Sequence, residues 1–404
     1  MQSQLIALLV ASYYLVQTIP SPIPGVSWGE AILVTATVLA LIWHPFRVIR
    51  IHALHVCFLV LYVCFITITL ATACFQSVFS IYDFVIRAIR WAVYILCGMI
   101  LAERVDFTTL RKIFITLAVL VAFFLIVQVL VYQLTGRAIW FRLGGRVLGC
   151  SVEGRFRNGV QYARLYRFSS VFSEPAHFAY YVTVGLVLLL FYRPNNRSGI
   201  GEAVAGIIMS MAMVLSTSTY GLALLAIVLA VYLFLFLCHT RNAAFAFLVL
   251  VGILCTLGLI LLFIRDTSIY SYLLSKLGSF GSTKRTTYIW QGDWQFSRLV
   301  TWLGCGVGNE EYYFRHCFNY ELPYINSVSL SFLYCGIVGV VLSVLFFPAA
   351  WHFCDRNGRV FLLILGCMFL FSTMFFGPLI SLLGVLIVAG EGWNETPSGR
   401  RSMA

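Results

Sequence analysis

The chain has 404 residues, of which 61% are hydrophobic and 10% charged; its mean hydropathy is +0.93 and its formal net charge +12. No water-soluble domain of this length needs so much apolar surface. Apolar runs of about 20 residues, each enough to cross a hydrocarbon core of roughly 30 Å, recur along it. Such blocks point to an all-α polytopic membrane protein and exclude a closed β-barrel, whose strands would be short and alternating.

The opening "MQSQLIALLVASYYLVQTIP" lacks a basic n-region and a small-residue cleavage site, so it reads as a first span rather than a removed signal peptide. Spans are predicted near residues 4–20, 30–43, 53–75, 84–102, 113–132, 176–192, 200–216, 219–238, 243–264, 325–348, 360–376 and 378–390, forming a single polytopic domain over 1–404. That makes roughly twelve transmembrane helices. The last two are short, and Gly377–Pro378 between them leaves a re-entrant pair as an alternative.

The short links "HPFRVIRIH", "ERVDFTTLRK", "RPNNRSG", "HTRN" and "DRNGR" carry Arg or Lys, and "SPIPGVSWGE" and "FQSVFSIYD" carry none. The basic links mark the cytoplasmic side, with both termini on it and a basic tail expected to be disordered. Two long polar segments then lie outside, residues 133–175 and 265–324. No internal repeat appears.

Lysine is confined to Lys112, Lys276 and Lys284, so the positive charge is almost wholly arginine. That bias suits planar, bidentate recognition of anions, although codon usage accounts for it equally well. The first outer segment concentrates Arg137, Arg142, Arg146, Arg155, Arg157, Arg164 and Arg167 against Glu153 and Glu174, interleaved with aromatic residues. The mixture suits sugar stacking beside phosphate binding, and equally an amphipathic helix on the membrane surface.

In "RFSSVFSEPAHFAYY" (167–181), Pro175 is expected at the first helical position, which makes Glu174 the N-cap and puts His177 in the first turn. A carboxylate at that interface suits a general base toward a sugar hydroxyl; simple capping is the alternative. The stretch from 81 carries Asp83, Arg87 and Arg90, with Arg87 and Arg90 sharing a face and Asp83 placed to pair with Arg87. Snorkelling to the interface would also explain these charges. In the second outer segment, "LGCGVGNEEYYFRHC" resembles a dinucleotide fingerprint superficially, but no strand precedes it. A flexible glycine turn packing against Arg285 or approaching a diphosphate fits better. Cys305 and Cys317 there are a candidate disulfide if that face is oxidising. No metal-ligand spacing appears.

The ordered set "RFSSVFSEPAHFAYY", "LSTSTYG", "STKRTTYIW", "GCGVGN" and "NSVSLSFLYCGIVG" resembles the bacterial O-antigen polymerase and ligase superfamily, that is, Wzy-type polysaccharide polymerases and WaaL-like ligases, over residues 80 to 345. The resemblance implies a glycosyltransferase of the class C type at the bacterial inner membrane, with its active site on the outer, periplasmic face. It implies no metal and no cofactor. The donor would be a glycan on undecaprenyl diphosphate and the acceptor another lipid-linked repeat unit, joined with inversion into an O-antigen, capsule or exopolysaccharide.

Under this resemblance the diphosphate-binding residues map onto Arg164, Arg167 and Arg285, joined by Arg87 and Arg90. Glu174 maps onto the acid of the "SEP" motif, assisted by His177, with His316 a weaker second-loop candidate. The lipid bilayer is a partner, a chain-length regulator a candidate one, and nucleic acid is not expected. Two other functions stay open: a ligase moving a finished glycan to lipid A core or protein, and a transporter or flippase. The second is disfavoured by polar residues that gather in outer segments rather than at mid-membrane.

Overall fold

The computed structural model describes residues 2–23, 25–46, 49–143, 146–157, 160–192, 200–239, 289, 295–322, 325–372 and 374–391, with backbone alone for 151–165, 236–239, 371 and 374. The protein is mostly helical. Four described helices are long and apolar enough to cross a membrane: Ala53–Ala73, Ile81–Arg104, Phe107–Thr135 and Ser327–Phe353. Shorter apolar helices include Pro175–Phe191, Ile200–Leu215 and Leu379–Ala389. The predicted span at 243–264 and the basic tail from 392 lie outside the described residues.

In chain order the helices are α1 (Gln2–Ser12), α2 (Trp28–Trp43), α3 (Ala53–Ala73), α4 (Ile81–Arg104), α5 (Phe107–Thr135), α6 (Pro175–Phe191), α7 (Ile200–Leu215), α8 (Thr219–His239), α9 (Arg298–Leu303), α10 (Glu310–Phe318), α11 (Ser327–Phe353), α12 (Arg356–Phe371) and α13 (Leu379–Ala389). Between α5 and α6 lie strands β1 (Phe141–Leu143), β2 (Arg146–Leu148), β3 (Cys150–Arg157) and β4 (Val160–Phe168).

These strands stand in an otherwise mostly helical chain, within 133–175, where an amphipathic surface helix was one alternative. β1 pairs antiparallel with β2, and β3 with β4, the latter in a register that sets Ser151 opposite Arg167 and Gly154 opposite Arg164. The reason is visible in "CSVEGRFR" and "VQYARLYRF": Cys150, Val152 and Phe156, and Val160, Tyr162, Tyr166 and Phe168, share one alternation interrupted at Gly154 and Arg164, which suits a pleated strand and not a 3.6-residue turn.

The chain divides into two compact units. The first comprises Met1–Val10, Glu30–Leu110 and Ser282–Trp393. Here α13 lies along α4, close enough for Ser381 Oγ to donate to the Tyr94 carbonyl at 2.5 Å, and a Cβ at Gly98 would stand 3.5 Å from Ser381. Small residues at such crossings let helix backbones approach. Trp91 of α4 stacks on Phe376 at 4.9 Å, and Phe65 of α3 and Tyr334 of α11 close around the pair. The outward side of α3 leaves Val60 55% and Leu70 52% exposed. An outward apolar face of this kind is stable against lipid and not against water.

The second unit comprises Ala11–Gly29, Arg111–Gly281 and Asn394–Ala404. Its centre is α6, buried along nearly its whole length, with Phe114 stacked on Tyr181 at 4.5 Å and Tyr14 on the same ring at 6.3 Å. The Tyr181 hydroxyl donates to the Ala11 carbonyl at 2.9 Å. Arg111, 7% exposed, pairs with Glu202 of α7 at 3.1 Å and donates to the Leu188 carbonyl, so its charge is neutralised where it is buried.

Candidate functional site: an arginine cleft and a capped helix

In the first unit, Ser80 caps α4, its Oγ accepting from the Asp83 amide at 3.3 Å. Asp83, Arg87 and Arg90 follow at spacings that place them on one face of the helix. That face lines a cleft of about 300 Å³, closed on its other side by Glu310, Tyr312 and Arg315 of α10. Asn309 ties the sides together. It is fully buried, caps α10, and accepts from the Ser80 amide through Oδ1 at 2.5 Å.

The "GCGVG" turn holds α10 against α4. Gly304, Gly306 and Gly308 all have positive φ. At Gly308, φ is +81°, and a Cβ would stand 2.7 Å from the Asp83 carbonyl oxygen and 3.0 Å from the Arg87 Cβ. Only glycine allows the turn to begin α10 there. The turn's backbone is occupied by the protein. The Cys305 and Gly306 amides donate to the Leu333 and Tyr334 carbonyls at 2.7 and 3.1 Å, and the Val307 amide to Thr69 Oγ1 at 3.1 Å. Those carbonyls are freed by a break in α11, where Cys335 and Gly336 leave helical geometry. The expectation that this turn is flexible and approaches a diphosphate is therefore corrected at Gly304 and Gly306, which are packed on α3 and α11. Gly308 alone reaches the cleft.

The arginines take partners distant in sequence. Arg87 Nη2 lies 3.7 Å from Glu310 Oε1, and Arg90 Nε lies 3.5 Å from Glu30 Oε1. The Tyr94 hydroxyl donates to the same Glu30 oxygen at 2.5 Å, and the Tyr334 hydroxyl to Glu310 Oε1 at 3.4 Å. The local pairing of Asp83 with Arg87 gives way to Glu310. The reason is that α10 brings a carboxylate to the inner side of Arg87, where burial strengthens the attraction. Glu310 is 12% exposed, and burial pushes its carboxyl up against the opposing pull of Arg87.

Glu310, Glu30, Tyr94 and Tyr334 are absent from the sequence-derived candidates. The available signal was "NEEYY" directly after the glycine turn: an asparagine cap followed by two acids is a helix start.

In the second unit, the "FSSVFSEP" segment is clamped from beneath. Gln128 of α5, fully buried, accepts from the Ser170 amide at 3.0 Å and donates to the Ser170 and Ile139 carbonyls at 3.2 and 3.3 Å. Ser170 Oγ donates to the Val121 carbonyl at 2.7 Å. Ser169 Oγ donates to the Phe172 carbonyl, and the Gly149 amide does so too. Glu174 is the N-cap of α6 in extended geometry with Pro175 next, as expected, and its side chain makes no capping hydrogen bond. His177 Nδ1 lies 3.5 Å from Ser173 Oγ.

Of the predicted site residues, Arg87 and Arg90 come together in the cleft of the first unit, and Glu174, His177 and Arg167 belong to the second. Arg164 is placed by its backbone in β4, and Arg285 lies outside the described residues. His316 sits on the exposed side of α10 with Nδ1 2.9 Å from the Tyr312 carbonyl. The candidate disulfide is not formed: Cys317 is exposed, and Cys305 is buried with its thiol donating to the Leu333 carbonyl at 3.0 Å. No cluster among the described residues has a metal-binding composition.

Fold and site define a mostly helical protein with helices able to span a membrane and a mixed-charge cleft at the start of one of them. Set beside family models, curated proteins and solved structures, the chain matches none.

Proposed function

We propose that the protein polymerises a surface polysaccharide, transferring a glycan from undecaprenyl diphosphate to a lipid-linked repeat unit. The observation that carries this reading is the cleft of about 300 Å³ in which Arg87 and Arg90, in the N-terminal half of a helix apolar enough to cross a membrane, face Glu310, Glu311 and Arg315 of α10. A guanidinium set at a membrane-helix terminus suits a lipid diphosphate, whose polar head ends where its hydrocarbon begins. The ordered motifs from "SSVFSEP" to "GCGVGN" support the same reading.

In this reading the chain crosses the bacterial inner membrane roughly twelve times in a class C arrangement, with the cleft on the outer face. Departure of the diphosphate develops negative charge, which arginines stabilise. Arg87 and Arg90 hold the phosphates; Arg164, Arg167 and Arg285 are diphosphate-binding candidates by the motif resemblance alone. The motif resemblance alone assigns Glu174 and His177 to the acceptor hydroxyl. A single displacement inverts the anomeric centre.

The test is a gel of surface and lipid-linked glycans from a strain lacking the gene, then restored with the unaltered chain or with Arg87→Ala/Arg90→Ala. The expected result is loss of the long-chain ladder with single repeat units remaining, rescue by the unaltered chain, and no rescue by the double variant. Long chains that persist on undecaprenyl diphosphate without reaching a final acceptor would instead assign a ligase. An unchanged glycan profile would overturn both.

A further inference from the structure

The carboxylate best placed to take a proton inside the arginine cleft belongs to α10. Glu310 lines the cleft beside Arg87, and its two oxygens differ. Oε1 faces Arg87 at 3.7 Å and the Tyr334 hydroxyl at 3.4 Å. Oε2 is buried and has no hydrogen-bond partner among the described residues. A buried carboxylate oxygen without a donor is costly, and one that persists beside a cavity is poised to receive a donor from whatever enters. Among the described residues, the charged groups lining the cleft with Glu310 are Asp83, Arg87 and Arg90 on α4 and Glu311 and Arg315 on α10, with Tyr334 of α11 and Cys305 of the turn beside it. Of these, Arg87 alone is a cation paired with Glu310.

We propose that Glu310 is the catalytic base of this cleft, paired with Arg87 in the resting protein and released to accept a proton when the substrate's diphosphate draws Arg87 away. The inference rests on the polysaccharide-polymerase reading and assigns within it a role that the "SEP" motif alone would give to Glu174. The acceptor sugar's hydroxyl donates to Glu310 Oε2. Its oxygen attacks the anomeric carbon of the donor as the bond from that carbon to the diphosphate oxygen breaks. The hydroxyl proton ends on Glu310, and the bonding electron pair leaves with the polyprenyl diphosphate, which Arg87 and Arg90 neutralise. Burial supplies the direction: it already pushes this carboxyl up, and Arg87 is the main opposing influence. A diphosphate that engages Arg87 therefore raises the proton affinity of Glu310 at the moment a proton must be accepted.

The experiment uses the full chain in lipid nanodiscs, with farnesyl diphosphate as the binding probe, and glycan elongation restored in the deletion strain as the activity. For Glu310→Gln, farnesyl diphosphate should bind at least as tightly as to the unaltered protein, because an anion has been removed from the site, while elongation falls about 100-fold or more, in the range that general-base catalysis supplies. Glu310→Asp keeps a carboxylate and should retain part of the rate. Arg87→Ala should lose the binding itself. A structural role would lower both readouts together, so weakened binding in Glu310→Gln, or its failure to assemble while Glu310→Asp elongates no better, overturns the proposal. Normal elongation by Glu310→Gln with intact binding overturns the Glu310 step and leaves the polymerase reading standing. No binding of farnesyl diphosphate to the unaltered protein removes that reading and the Glu310 step with it.

Discussion

The α4–α10 cleft and the segment that leads into α6 are both polar ends of apolar helices, and they are organised differently. In the cleft the two arginines of α4 take partners from far along the chain: Glu310 for Arg87, Glu30 for Arg90. Around α6, Glu174 takes the N-cap position of its own helix, and Ser173 lies four residues before the His177 it faces. What is distant there is the anchor, Gln128, which holds the backbone rather than the functional side chains. The cleft is thus an electrostatic site assembled by packing. The α6 entrance is a local helix start secured by one buried amide.

Substitutions that break each arrangement should rank by how much backbone they disturb. Gly308→Ala is expected to be the most damaging, since its Cβ would meet the Asp83 carbonyl at 2.7 Å at a φ of +81°. A cost of about 3 kcal/mol is expected, read as a lower Tm of the purified protein together with loss of farnesyl diphosphate binding. Retention of both would show that the α4–α10 approach is loose.

Gln128→Leu leaves the Ser170 amide and carbonyl buried without a partner. It should cost roughly 1–3 kcal/mol. Thermal unfolding measures the cost, and limited proteolysis near Gly149 and Ser170 locates it. An unchanged digestion pattern would mean that the segment is held by something other than this amide.

Smaller effects sharpen the electrostatic half of the comparison. Glu30→Gln frees Arg90 and should tighten farnesyl diphosphate binding about threefold, the scale of a partly exposed ion pair; titration calorimetry reads it, and weaker binding would show that Glu30 orients Arg90 for its ligand.

The carboxyl of Glu310 is held above the usual carboxylate range, so the fold favours its protonated form. That stabilising contribution is complete below the unfolded carboxylate pKa and is lost as pH rises through the higher folded value. Melting curves across the acid range should show this decline in the unaltered protein and a flatter profile in Glu310→Gln; identical profiles would remove Glu310 as the source.

Least of all, Glu311→Ala breaks an exposed pair with Arg315, whose side chains are 66% and 59% exposed. It should move stability by less than about 0.5 kcal/mol. A larger loss would mean that α10 depends on its surface charge.

The helical architecture was readable because hydrophobicity is a local property. The predicted spans at 53–75 and 84–102 correspond to α3 and α4, and the break at Gly377–Pro378 separates α12 from α13. The N-cap at Glu174 was readable for the same reason, since Pro175 restricts its own backbone and its neighbour's. The β-hairpins of 141–168 are not legible in that segment's arginine content, because the period-2 pattern that carries them lies in the residues between the arginines.

By itself, then, the sequence determined which segments are apolar enough to cross a membrane, where helices begin at a proline or a serine cap, and that arginine is the dominant cation. Only the tertiary structure decided that Arg87 faces Glu310 rather than Asp83, that the glycine turn is packed instead of open, and that Cys305 is buried away from disulfide chemistry. The physical reason is range. Hydropathy and capping act within a few residues, whereas the cleft depends on the break at Cys335–Gly336 and on the missing side chain at Gly308, which together let α10 lie against a helix more than 200 positions earlier in the chain.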